Sequence, residues 1–342
     1  MLTCRDISLE DDFDWERLIS DSNTASFFQT KDWLKLWMEH FGGEAEILGV
    51  FDGNNLVGIA PLLIKKEKIS FLGITNVLGN ELVSDFGDII AKKGREKEVW
   101  EIVLDVILRT SNASTPESIR EKDSGQDGYR TVTRQARMTK VLELNFVTED
   151  SPSFHILKRL GGKVEAVDTA PYIDLPRSWE DYLGSLDRHD RHELRRKMRR
   201  LDEEGAIKIY YQGEEDDIEE FIRLMSLSNE QKRNFLSPKM QSFFKEIISI
   251  FYPLKRLELC FLRLSGENIA ATLSFVFNNE VLLYNSGFNQ KYAYLSPGLL
   301  LKSFLIKEAI EKRRTRFEFL RGGERYKYDL GAKERKLYKI SL

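Results

Sequence analysis

Residues 281–310, VLLYNSGFNQKYAYLSPGLLLKSFLIKEAI, decide the fold. An apolar strand runs into a short polar loop and then into a helix whose start is punctuated by Ser296 as cap, Pro297 at the first helical position and Gly298 next. A helix N-terminus carries unsatisfied N–H donors and a partial positive charge, so this strand–loop–helix can hold a pyrophosphate without a basic side chain. Gly298 lets such a ligand come close. A plain capped core helix has the same spacing, and the motif alone does not separate the two.

Working outward, two apolar segments precede the strand, LKRLELCFLRL and NIAATLSFVF, joined by turns at Ser265-Gly266-Glu267 and Asn278-Asn279. That order predicts an antiparallel meander. After the helix come a strand FEFL, the segment RGGERYKYDLG and a terminal strand ERKLYKISL. Titratable groups crowd the end of FEFL: Arg321, Glu324, Tyr326 and Lys327. A tyrosine there can give a proton to a leaving thiolate, and a lysine or arginine can pair with a phosphate or carboxylate. An ordinary solvated turn is the competing reading.

Upstream, helices at about 178–185 and 188–204, a strand IKIYY and helices at about 215–231 and 238–251 open the second half. The run Arg188 to Arg200, RHDRHELRRKMRR, holds seven Arg or Lys, two His and two acids. Charge this dense repels itself unless an anion sits nearby. His189 and His192 lack any partner motif, so no metal is expected.

The first half begins with helices over the first 40 residues, on the spacing of Phe27, Trp33, Leu34, Trp37, Met38 and Phe41 behind a Thr30 cap. A β series follows: ILGVFD, LVGIAPLLI, ISFLGI and the stretch from Asn76 to Ala91, then a helix at about 95–110. Residues 111–137 are polar and turn-rich and read as a surface insertion or partly disordered loop. A strand KVLELNFV, a helix from Ser153 to Leu160, a Gly161-Gly162 stop and a strand KVEAVDTAPYIDL complete this half.

The chain has 342 residues, and roughly 150 residues per domain gives two, placed at 1–175 and 176–342. Hydrophobic residues at 42% and charged residues at 31% describe a globular protein and exclude disorder. The net charge of −3 divides unevenly: residues 1–175 hold 21 basic and 30 acidic side chains, residues 176–342 hold 31 and 25. The basic second half suits an anionic ligand and falls far short of a dedicated nucleic-acid binder. Two distant cysteines, Cys4 and Cys260, give no disulfide framework and fit a reducing compartment. No apolar run reaches membrane-span length and the acidic N-terminus is unlike a signal peptide, so a cytoplasmic location is expected. The GxSxG, GxxxxGK[ST], HExxH and GxGxxG signatures are absent, which removes the common hydrolase, triphosphatase and dinucleotide classes.

In combination, LRLSGENIAATLSF, YNSGFNQKYAYLSPGLLL, FEFLRGGERYK, RHELRRKMRRL and FLSPKMQSFFKEI resemble the CelD/BcsL-type acetyltransferases. These are a branch of the GNAT superfamily close to the Fem-type aminoacyltransferases. The likeness covers most of residues 180–330 and, more loosely, the first half through KDWLKLW, GIAPLL and the Asp85 region. It implies an α/β (α+β) chain of two GNAT-like acyl-CoA N-acyltransferase folds in tandem, with mixed, mainly antiparallel sheets flanked by helices. It implies acyl transfer, from acetyl-CoA or another acyl-CoA, to an amine or hydroxyl of a sugar or cell-envelope precursor. Splayed strands would admit the pantetheine arm, placing the cofactor along Tyr284, Asn285, Ser286, Gly287, Tyr292, Ser296 and Gly298. YAYLSPG stands where the usual Gln/Arg-x-x-Gly-x-Gly/Ala signature would be, a departure shared with the Fem-like branch. Tyr326 is the expected acid, Glu324 the candidate base, and Lys327 and Arg321 contacts for anionic groups. Asp85 and Arg195 complete the expected acceptor side. Two rivals stand: a Fem-like enzyme with aminoacyl-tRNA as donor, and a degenerate fold serving as a binding module.

Overall fold

A computed structural model describes residues 2–42, 44–65, 68–74, 83–111, 115–122, 129–136, 141–211 and 215–342. The first half runs β1 (Leu2–Ile7), α1 (Trp15–Ser20), α2 (Lys31–Phe41), β2 (Glu44–Asp52), β3 (Asn55–Lys65), β4 (Lys68–Phe71), β5 (Ile90–Ala91), α3 (Glu96–Ser111), β6 (Thr115–Lys122), β7 (Tyr129–Ala136), β8 (Val141–Thr148), α4 (Pro152–Arg159) and β9 (Lys163–Thr169). Then follow β10 (Tyr172–Asp174), α5 (Trp179–Ser185), α6 (Arg188–Glu203), β11 (Ile207–Tyr210), α7 (Glu215–Ser228), α8 (Glu230–Phe235), α9 (Pro238–Phe251), β12 (Leu257–Leu264), β13 (Glu267–Phe277), β14 (Glu280–Phe288), α10 (Pro297–Glu311), β15 (Arg316–Glu318), α11 (Arg325–Asp329) and β16 (Lys336–Ser341).

Two large sheets organise these elements. One has the order β1-β2-β3-β4-β8-β16-β9, with β5 beside β3; the other has β10-β15-β14-β13-β12-β11. Each is antiparallel except for one parallel pair, β4–β8 in the first and β14–β15 in the second. The terminal strand β16 pairs with β8 and β9, so residues 336–341 belong to the first sheet, while Tyr172–Asp174 joins the second. The chain thus returns to close the sheet it began.

Three expectations require correction. Residues 2–7 form a strand, because Leu2–Ile7 finds a full antiparallel partner in β2, and helix begins only at Trp15. Residues 115–122 and 129–136 form a two-stranded antiparallel ribbon within the stretch read as a surface insertion or partly disordered loop, which overturns the disordered-loop alternative for these strands. In the stretch from Asn76 to Ala91, residues 75–82 lie outside the described residues, and beyond them only Ile90–Ala91 is strand, leaving Asp85 on irregular backbone.

The two halves share a core. Helix α9 buries Met240, Phe243, Phe244, Ile247, Ile248 and Phe251, a helical stripe that meets Trp33 and Phe27 of the first half. Phe27 stacks on Phe275 of β13 at 3.9 Å between centroids, and Trp33 meets Phe275 edge-on at 5.7 Å. Burying such rings is worth about 1.5–3 kcal/mol each. Helix α10 is buried on nearly every side, as its sequence, apolar all round, requires.

Candidate active site

Strands β14 and β15 pair only over Glu280–Leu282 and Arg316–Glu318. Beyond that they part: β14 continues to Phe288, while the chain after Glu318 turns away through Leu320, held at a φ of 59°. On β14 the register with β13 slips between Leu273–Asn285 and Ser274–Leu283, leaving Tyr284 as a bulge residue. The result is a wedge between the strands, with the start of α10 and the turn 320–324 at its walls.

Lys327 locks that turn. It is 1% exposed, and its Nζ donates to the carbonyls of Leu320, Arg321 and Gly322 at 3.2, 2.9 and 2.7 Å and pairs with the Glu324 carboxylate at 2.8 Å. Its donors are engaged by backbone, so Lys327 clamps a strained loop and is not placed to meet a ligand anion, a correction to its expected role. Burial works to raise the Glu324 carboxyl, but the charges of Lys327 and Lys232 outweigh it and hold the group below its ordinary range. Glu324 is therefore ionised and weakly basic.

Two lysines that sequence reasoning missed complete the cluster. Lys302, 6% exposed, reaches back one turn along α10 so that its Nζ donates to the Gly298 carbonyl at 3.1 Å and lies 4.7 Å from the Tyr326 ring centroid. Burial, assisted by the charge of Lys232, pulls its ammonium down to about 7. Lys232 of α8 donates to the Ser286 carbonyl and to Asn285 Oδ1, and burial lowers it to about 8. One signal was available: Lys302 interrupts the apolar face of PGLLLKSFLIKEAI. Tyr326 is pushed upward by burial and by Glu324, so it stays protonated and able to donate.

The first turn of α10 leaves the Gly298 and Leu299 N–H groups without intrahelical acceptors. Ser296 does not cap them as expected; it adopts a left-handed backbone with φ 55°, and its hydroxyl makes no capping bond. Gly298 is buried, and a Cβ there would lie 3.1 Å from the Phe288 ring and 3.8 Å from Lys302 Nζ. The exposed edge of β14 is itself occupied, since the Phe288 N–H donates to Ser228 Oγ at 2.8 Å and Lys232 takes the Ser286 carbonyl.

The remaining expected residues divide. Arg321 and Asp85 meet, Nε to Oδ1 at 3.2 Å, with the guanidinium 4.6 Å over the Phe146 ring at the root of the wedge. Burial raises the Asp85 carboxyl although Arg321 and Lys327 pull it down. Tyr284 faces the shared core, between Trp33, Phe244 and Phe275, and donates to the Val83 carbonyl at 2.9 Å. Gly287 is small because the α7 backbone at Leu224–Met225 presses against it. Tyr292 donates to Glu267 at 2.8 Å, and Arg195 pairs with Glu180 at 3.1 Å on the exposed face of α6. None of these four enters the wedge. Helix α6 still flanks its entrance, through Arg200 bonded to the Tyr294 carbonyl at 3.2 Å.

Among the described residues no cluster of metal-ligating side chains occurs, and no helix is long and apolar enough to cross a membrane.

Comparison with known proteins agrees with this architecture. No curated protein matches the sequence. Among solved structures, FemX superposes with a TM-score of 0.66 at 12% identity, covering 99% of this chain and 96% of that one. L-PGS from Bacillus licheniformis gives 0.54 at 11% identity and covers 90% of each chain. A tandem GNAT protein from the clavulanic acid biosynthesis pathway gives 0.52 at 11% identity, covering 99% and 98%. At such identities the likeness establishes the fold. Residues 188–328 match the family model described as an acetyltransferase (GNAT) domain. Residues 188–328 are thus similar to an acetyltransferase (GNAT) domain, and the chain as a whole has the fold of a tandem GNAT protein.

Proposed function

We propose that the wedge between β14 and β15 transfers an acyl group from a coenzyme A thioester to an amine or hydroxyl of a small acceptor, a sugar or cell-envelope precursor in keeping with the CelD/BcsL-like sequence. The observation that carries this reading is the cationic cluster at the start of α10. Lys232, Lys302 and Lys327 surround one carboxylate, Glu324, beside two helix N–H groups that lack intrahelical acceptors. Burial lowers the Lys232 ammonium to about 8, which marks a group that lacks a full counter-charge, and a phosphate supplies one. A pantetheine arm laid along β14 would replace the two bonds now made there by Ser228 and Lys232.

Three tasks fall to this chain's residues. The α10 amides with Lys232 hold the carrier's phosphates. Lys302, in its neutral form near pH 7, accepts the proton released as the acceptor nitrogen or oxygen bonds to the acyl carbon. Tyr326 gives its proton to the departing thiolate. Positioning accounts for most of the remaining acceleration.

A second reading keeps the enzyme and changes the donor to an aminoacyl-tRNA. Its support is the occupied β14 edge together with the overlay on FemX. Thermal shift against acetyl-CoA, coenzyme A, tRNA and heparin separates the readings, because each ligand stabilises only the state that binds it. Stabilisation by both coenzyme A species supports the proposal. A shift with tRNA alone transfers it to the second reading, and a shift with heparin alone makes the chain a binding module.

A further inference from the structure

At the opposite end of the β14–β15 pair, where the two folds meet, lies a cavity of about 250 Å³, the volume of roughly eight waters. It is lined by the segment Ser22–Phe27, by Gly87 and Asp88, by Asp150 and Ser151 and by the starts of β14 and β15. Phe146, whose ring the Arg321 guanidinium covers at 4.6 Å, forms part of its wall. Its lining is polar and unbalanced: Asp88, Asp150, Glu280 and Glu318 face Arg316 and Arg335.

The two guanidiniums are already committed. Arg335 pairs with Glu318 at 2.8 Å and Asp150 at 3.5 Å, and Arg316 approaches Glu318 at 3.6 Å and Glu280 at 4.0 Å. Asp88, 6% exposed, has no basic partner among the described residues; it accepts from the Ser151 hydroxyl and the Ile89 N–H. Burial pushes the Asp88 and Glu318 carboxyls up to about 7, for Glu318 despite its two guanidiniums and for Asp88 with no cation beside it among the described residues.

Two further atoms lack partners among the described residues. Arg335 is 5% exposed, yet its Nε is buried without an acceptor, and the Ser26 hydroxyl is buried without donor or acceptor. Both residues line the cavity. Buried polar atoms are nearly always satisfied, so two unsatisfied ones on residues that line one space point to an occupant that supplies the bonds. Excess carboxylate asks for a cation; an orphan N–H and an orphan hydroxyl ask for an oxygen.

We propose that this cavity binds a small hydroxylated primary amine, its ammonium against Asp88 and its oxygen against Arg335 Nε and Ser26 Oγ. The site is distinct from the wedge and stands whether or not the wedge takes acyl-CoA.

The probe is 2-amino-1,3-propanediol, compared with glycerol, which has hydroxyl in place of ammonium on the same skeleton. Saturation-transfer NMR on the full-length protein at pH 7.5 reads both. The aminodiol is expected to bind saturably and at least tenfold more tightly than glycerol, because only it makes the charge-assisted bond. Asp88→Asn removes at least tenfold of that affinity. Ser26→Ala weakens it about threefold or more, so the test survives if Asp88→Asn fails to fold. Saturating coenzyme A leaves the signal in place. Equal binding of the two probes, no binding of the aminodiol, wild-type affinity in Ser26→Ala, or displacement by coenzyme A overturns the proposal.

Discussion

The two sheets each contain one parallel pair that diverges, and they fill the gap differently. In the first, β4 and β8 pair over Lys68–Ile69 and Val141–Leu142, and the chain around Gly87 then enters between them, its N–H donating to the Phe146 carbonyl at 3.2 Å. A Cβ at Gly87 would lie 2.6 Å from the Phe71 ring and 2.9 Å from the Asn145 carbonyl oxygen. That gap is plugged by apolar packing. In the second, the equivalent gap between β14 and β15 holds Lys232, Lys302, Lys327 and Glu324. The same strand geometry supports a sealed core in one fold and a charged cleft in the other, so architecture alone does not locate chemistry.

Substitutions can break that contrast. The largest expected effect is on turnover: Lys302→Met keeps the apolar stem and should lower coenzyme A-dependent acyl transfer about 10²- to 10⁴-fold, the range for losing a general base, while the unfolding transition in urea is preserved. Turnover within tenfold of wild type would remove Lys302 from the mechanism. Lys327→Met should instead be a stability variant. It strands three carbonyls and the Glu324 carboxylate, and about 3–5 kcal/mol of unfolding free energy should disappear in a urea titration. A normal midpoint with lost activity would make Lys327 catalytic after all.

The pH dependence of stability sharpens the picture with a moderate effect. Asp88 and Glu318 titrate near 7 when folded and lower when unfolded, so the folded state holds protons the unfolded chain has lost. Their contribution falls as pH rises from about 4 to 7, by at most about 1.4 kcal/mol per pH unit for each group. Lys302 and Lys232 act in the opposite direction. Their folded ammonium groups deprotonate near 7 and 8, below the usual 10.5, so stability gains as pH climbs from there toward 10.5. Unfolding followed from pH 4 to 10 should show a shallow minimum near neutrality, and Asp88→Asn should flatten its acid side. An unchanged acid side in that variant would contradict the assignment.

The smallest effect tests the plugged gap. Gly87→Ala presses a methyl on Phe71 and Asn145, costing about 1–3 kcal/mol, and should leave coenzyme A binding intact. Reduced binding would mean that the first fold contributes to the cleft.

How much of this was legible follows from what sequence patterns encode. The meander β12–β14, the α10 start at Pro297 and the Ser237-capped α9 are local periodicities and punctuation, and they read directly. β16 was recognised as a strand, but nothing in KLYKIS specifies that it inserts between β8 and β9, since pairing partners are chosen by long-range packing. Asp85 and Arg321 each stand out in the sequence, yet nothing in it reveals their pairing across 236 positions. The charge of Lys327 is plain in the sequence, and only the geometry of the 320–324 turn reveals that backbone carbonyls consume it. Ser296 has the identity of a cap, but its backbone is left-handed, with φ 55°, and its hydroxyl makes no capping bond.

Isothermal titration of coenzyme A into the wild-type protein and into the Lys232→Met/Lys302→Met double variant tests the central claim most directly. The account predicts saturable one-to-one binding by the wild type that weakens at least tenfold in the double variant and with added salt. Absence of coenzyme A binding to the wild type, or equal affinity in the double variant, would contradict it.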